Sequence, residues 1–230
     1  MKKFVTIHQP QYFPYLPTFQ KILLGDIFIS LDDVKFSQGA WHSRTILKNK
    51  KDEIISLTIP VLKESVNILD KKIANNKWKI RHLKTIESVY RRSKYFSDFF
   101  SLFEEILNQK SLYLVDYTST SITEILKKLD YKEENIFKQS ELGIDKKNYS
   151  KNTFLIEIIK RFNGTAYISG QGAKNYIDEK FFEKNNIELI YNANKIEYLQ
   201  FGETYHEGLS VIDSICHLGY ERLSNLIKNK

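Results

Sequence analysis

The sequence predicts an α/β fold, with a parallel or mixed sheet flanked by helices and a helical lobe in the middle of the chain. Two observations carry this. Near the amino end the buried-looking run "FVTIH" is followed by a helix-competent stretch and then by "IFISLDD", a compact strand–helix–strand unit. Towards the carboxyl end strand-like and helix-like segments alternate again, which favours helices packed on a sheet.

Each element has a local reason. Pro17 to Leu24 can form a helix because proline is tolerated in the first turn, and Gly25 can close it. "SRTILK" and "IISLTIPV" flank Asn49–Asp52 and form an antiparallel hairpin. From Trp78 to Tyr90, Trp78, His82, Ile86 and Val89/Tyr90 share one helical face, and Lys77, Arg81, Lys84 and Arg91 line another. Helices are expected over Ser97–Leu107, over Ile122–Leu129 behind a capping box Ser121-x-x-Glu124, and from about Thr153 to Phe162, stopped by Asn163-Gly164. "TAYIS" and "IELIYN" are strands on either side of the glycine-bearing turn "GQGAKNY"; Leu209 to Leu218 is a last helix closed by Gly219. No linker or repeat divides the chain, so one domain is expected over 1–230, with the helical lobe at about 77–130.

The composition, 42% hydrophobic and 13% aromatic, supplies one substantial core. No run approaches the roughly 18 apolar residues of a membrane span, and the amino terminus lacks a signal core, so a cytoplasmic protein is expected. The one cysteine, Cys216, excludes an internal disulfide, and no metal-ligand spacing is present. The net charge of +7 is accounted for by Lys71–Lys94, where Lys71, Lys72, Lys77, Lys79, Arg81, Lys84, Arg91, Arg92 and Lys94 face only Glu87. Such a patch attracts phosphorylated molecules or nucleic acid, or is a solvated helix face.

The chemistry-bearing residues gather at strand ends. His8 closes the first strand, where ligands of open α/β sheets sit, and the prolines of "HQPQYFPY" stiffen the loop that carries Gln9, Tyr12, Phe13 and Tyr15. The aromatic rings offer a stacking surface, or pack the loop onto the core. Asp32 and Asp33 end the second strand and, pointing to opposite faces, let one of them orient His8. Arg44 offers a bidentate donor for phosphate or carboxylate. His82 lies on an apolar stripe, as a core histidine or a ligand contact. Ser169, Gly170 and Gly172 follow a strand, where small residues let backbone N–H groups approach an anion. Asp213 sits in the first turn of a helix capped by Ser210.

Taken in order, "IHQPQYFPYL", "ILLGDIFISLDDVKF", Arg44, "LTIPV", Trp78/His82/Ile86/Tyr90, "YISGQGAKNYID" and "SVIDSICHLG" resemble the WbqC-like family over essentially the whole chain. The family's motif positions fall on His8, Gln9, Pro10, Pro14, Asp32, Asp33, Arg44, His82, Tyr90, Ser169, Gly170, Gly172, Tyr176 and Asp213. One departure is "CHLG" in place of the more usual Leu-Phe-Asn-x-Gly. The resemblance implies a role in making or decorating an activated sugar for O-antigen or other bacterial surface polysaccharides; the reaction expected first is transfer of an acyl or aminoacyl group from an unidentified donor to a nucleotide-linked amino sugar. In that reading His8 is the general base, Asp32 or Asp33 orients it, and Gln9, Tyr12, Arg44, His82, Ser169, Gly170, Gly172, Tyr176 and Asp213 hold substrate or phosphate. No cofactor is assigned, and nucleic acid is a disfavoured partner. The front unit and "YISGQG" are also similar in layout to nucleotidylyltransferases and pantothenate-synthetase-like ligases, although the second histidine of their His-x-Gly-His loop is absent here. In that alternative, His8 steadies a transferring phosphate.

Overall fold

The computed structural model describes residues 1–192 and 195–228. Its elements run β1 (Phe4–His8), α1 (Leu16–Leu23), β2 (Ile27–Ser30), β3 (Arg44–Lys48), β4 (Ile54–Thr58), α2 (Lys77–Tyr90), α3 (Phe96–Leu107) and α4 (Leu114–Lys128). Then come β5 (Ile136–Lys138), α5 (Lys151–Arg161), β6 (Ala166–Gly170), α6 (Glu179–Lys184), β7 (Glu188–Asn192), α7 (Val211–Leu218) and α8 (Tyr220–Lys228). The five strands of the main sheet are all parallel, in the order β5-β2-β1-β6-β7; β3 and β4 form the separate antiparallel hairpin.

Strand alternation sorts the two faces of the sheet. Val5, Ile7, Ile27, Ile29 and Tyr167 join α5 and α6 in one apolar cluster, which also holds Phe154, Ile158 and Phe182. Phe28 belongs to the other and larger cluster, where α1, the hairpin, the helices α2–α4 and α7–α8 meet around Phe13, Trp78, Phe99, Phe103 and Ile215. Burial of side chains of this size contributes roughly 1.5–3 kcal/mol each. Gly25 permits the tight turn from α1 into β2, since a Cβ there would lie 2.6 Å from Thr6 Cγ2.

Three expectations change. The segment at Ser121 does not start a helix: α4 begins at Leu114, and the Ser121 hydroxyl bonds the Thr118 carbonyl and receives the Phe13 N–H. The chain also adds an edge strand, β5, and a final helix, α8, that the sequence patterns left unassigned. Both aspartates lie beyond β2, which ends at Ser30.

Candidate functional site

The chain order of the sheet strands reverses on either side of β1: β2 and β5 lie to one side, β6 and β7 to the other. A crevice at such a switch point, outside the carboxyl ends of the strands, is where doubly wound sheets hold ligands. His8 closes β1 on one side of it, and Ser169 and Gly170 close β6 on the other. Gly170 and Gly172 have open space where a Cβ would stand, and Gly170 is extended with φ −81°. Neither glycine has a positive φ, so they leave room at the crevice instead of relieving backbone strain.

The edge of the sheet is also where buried polar atoms go unpaired. Ser30 Oγ at the end of β2, Gln139 Oε1 after β5, Asn192 Oδ1 at the end of β7 and Gln20 Nε2 on α1 all lack a hydrogen-bond partner among the described residues. Folded proteins satisfy most such atoms, and each orphan costs of order 1–3 kcal/mol. Similar unpaired atoms occur elsewhere in the core, on Trp78, Tyr131 and Tyr220 among others, and Asn192 Nδ2 donates to Gln20 Oε1 at 3.4 Å, so these four do not by themselves define a ligand surface.

His8 is held by α1. Its Nδ1 lies 3.2 Å from Lys21 Nζ and its Nε2 3.4 Å from Thr18 Oγ1. Lys21 Nζ donates to the Ile7 carbonyl as well, at 3.0 Å. Burial first and the neighbouring lysine second push the His8 pKa well below its usual value, so the ring is neutral near pH 7. Burial lowers the Lys21 pKa to about 7. The loop after β1 is braced by the segment before β3: the Tyr12 N–H donates to the Trp41 carbonyl at 3.4 Å, and His42 Nδ1 to the Pro10 carbonyl at 3.0 Å.

The other expected residues divide. Gln9 is exposed at the crevice loop, and Arg44 stacks its guanidinium 4.5 Å over the Trp41 ring, with Nε buried and unpartnered. Tyr176 is half exposed, and the Lys151 ammonium lies 3.3 Å over its ring. Neither aspartate orients His8: Asp32 accepts from the Ser140 N–H at 2.9 Å and hydroxyl at 2.6 Å, and Asp33 pairs with Lys146 at 2.9 Å and accepts from Asn67. Tyr12 is fully buried and offers no stacking face; its hydroxyl lies 3.0 Å from Nδ1 of His82, which is buried too. Burial lowers the His82 pKa to about 3, so this is a neutral core histidine. Asp213 is buried on α7, where its carboxylate accepts from the Tyr90 hydroxyl at 2.8 Å and the Tyr198 hydroxyl at 2.9 Å.

Sequence reasoning missed Lys21 and Gln20. The available signal was that Thr18, Gln20 and Lys21 belong to an eight-residue helix wedged into a strand–helix–strand unit, too short and too enclosed to expose every polar side chain. Lys77, Arg81 and Lys84 of α2 are exposed as expected and line a surface hollow with Ile55 and Ile80, whereas Lys79 is half-buried and donates to the Gln109 carbonyl. Among the described residues there is no cluster of three or more potential metal ligands, and no helix is long and apolar enough to cross a membrane.

The fold and crevice define a doubly wound α/β protein. The chain belongs to the WbqC-like protein family, whose profile it matches over residues 9–225. A relative, Rv1507c of Mycobacterium tuberculosis (strain ATCC 25618 / H37Rv), is 23% identical over 239 residues, covering 96% of each chain. No solved structure matches the chain significantly.

Proposed function

We propose that the chain is an enzyme of bacterial surface-polysaccharide biosynthesis that binds a nucleotide-linked sugar across the crevice between the ends of β1 and β6. The observation that carries this reading is the meeting of His8 and Gly170 at neighbouring strand ends on the switch point of the sheet, with open space where a Cβ of Gly170 would stand. The family resemblance supplies the biological setting, and the glycines after β6 leave room for close approach of phosphate to backbone.

Two reaction classes remain, and His8 discriminates between them. Acyl or aminoacyl transfer with His8 as general base on a sugar amine needs a free lone pair on the nitrogen that faces the substrate. A protonated Lys21 at Nδ1 puts the proton of the neutral ring on Nε2, which makes His8 a donor whenever the lysine is charged. This favours the phosphate-handling class, nucleotidyl transfer or ATP-dependent ligation, in which a histidine N–H steadies phosphoryl oxygens. The exposed face of α2 then serves encounter with a phosphorylated substrate through its field.

A thermal-shift panel of UDP-, dTDP- and GDP-sugars, ATP, CoA and oligonucleotides tests the reading. A ligand at about 100 times its Kd adds roughly 2.7 kcal/mol of stability. Stabilisation by a nucleotide-sugar or ATP is expected; stabilisation by oligonucleotides alone contradicts the proposal.

A further inference from the structure

Lys21 sits in the last turn of α1 and is only 5% exposed. Its nitrogen contacts two neutral acceptors, the Ile7 carbonyl and His8 Nδ1, and among the described residues no carboxylate pairs with it. A buried ammonium without a counter-charge is costly, and proteins ordinarily pair it. Asp32 and Asp33, the carboxylates nearest in sequence to the strand ends, are taken up by Ser140, Asn67 and Lys146. Burial relieves part of that cost by lowering the Lys21 pKa to about 7, and an anionic ligand beside it would supply the missing charge and hold the proton on the lysine.

The tautomer of His8 follows from the same contact. While Lys21 holds its proton, the imidazole nitrogen that faces it can only accept, so below the lysine's pKa of about 7 Nδ1 carries the lone pair and Nε2 the proton. That N–H meets Thr18 Oγ1 at 3.4 Å, which is long for an N–H···O bond, and the Gln11 side chain is a further hydrogen-bonding neighbour of the ring, so a ligand oxygen would take the place of Gln11. The N–H stands at the strand end next to the one bearing Gly170, where space is open.

We propose that Lys21 is a positioning residue: by donating into Nδ1 it fixes His8 as an Nε2–H donor, and together they form a cationic subsite for the phosphate group of the ligand held at the ends of β1 and β6. The inference rests on the crevice being the ligand site. It adds what part of the ligand goes where, and it gives Lys21 a reason to be buried unpaired. A charge-assisted bond from a histidine N–H to phosphate is shorter and stronger than the existing contact to Thr18.

Nitrogen-15 NMR of the histidine-labelled full chain, with His8 assigned through His8→Gln, tests this at a pH below the Lys21 pKa of about 7, first without ligand and then in a titration with inorganic pyrophosphate. The expected result is an unprotonated Nδ1 and a protonated Nε2 whose signal moves saturably with pyrophosphate. Lys21→Met should lose the tautomer preference and bind pyrophosphate about tenfold more weakly or worse, a difference of about 1.4 kcal/mol. Lys21→Arg, which keeps both donor and charge, should retain the Nε2–H form and so separates positioning from packing. A proton on Nδ1 in the parent, an unchanged tautomer in Lys21→Met, or pyrophosphate that leaves His8 unmoved overturns the inference. If nucleotide-sugars still stabilise the protein while pyrophosphate leaves His8 unmoved, the ligand-site reading stands and this inference alone fails.

Discussion

Replacing Lys21 by methionine should make the protein more stable, because the lysine is kept for binding at a cost to folding. Its pKa of about 7 in the folded chain lies below the 10.5 of a free lysine. At about 1.36 kcal/mol per unit, this depression corresponds to a penalty of several kcal/mol near neutral pH, present whenever the unfolded chain holds a proton that the fold disfavours. Methionine is of similar length, removes that penalty and forfeits two hydrogen bonds worth about 1 kcal/mol each. The net gain is about 1–3 kcal/mol, or about 2–12 °C in Tm for a chain of this size. The sign with pH is fixed. A depressed lysine pKa means that the unfolded state binds the extra proton, so the parent gains stability as pH rises from about 7 towards 10.5 and the gap to Lys21→Met closes. Urea unfolding of both proteins at neutral pH and at two higher pH values measures this. A methionine variant less stable than the parent by more than about 1 kcal/mol, or a gap that ignores pH, would refute the reasoning.

Tyr12→Phe should cost about 1–3 kcal/mol by leaving His82 Nδ1 buried without its partner, yet leave ligand affinity within about twofold; unchanged stability in a urea melt, with binding lost, would return Tyr12 to the ligand surface. Gly170→Val should fold as well as the parent, since its φ of −81° and the open space around it tolerate a β-branched side chain, and should weaken nucleotide-sugar binding about tenfold or more by filling the crevice. Equal affinity by calorimetry would make the glycine a plain strand end.

The sequence made the scaffold legible where pattern and packing agree. The runs at Phe4–His8 and Ile27–Ser30, the hairpin around Asn49–Asp52 and the apolar face of α2 are local signals that the fold keeps. Strand β5 escaped because three residues at a sheet edge carry no readable alternation, and α4 was begun too late because Ser121-x-x-Glu124 imitates a cap inside a longer helix. The site was legible only as a location. His8 and the glycines after β6 lie where strand-end reasoning put them, but the partners of His8 depend on which side of α1 faces the sheet. A lysine in a helix's last turn ordinarily complements the helix dipole at the surface, and here Lys21 turns onto β1, where it meets the Ile7 carbonyl and His8 and is buried instead. The aspartates misled for a similar reason: the Ser140 and Lys146 groups that engage them lie more than a hundred residues away in sequence, beyond the reach of local pattern.

The central claim is that ligand binds between the ends of β1 and β6. Hydrogen exchange of the full chain, read residue by residue with and without the nucleotide-sugar that stabilises it most, tests this directly. The account predicts that protection concentrates at His8–Gln11, at Ser169–Gly172 and in the last turn of α1 around Lys21. Protection confined to the exposed face of α2, with those three segments unchanged, would contradict it.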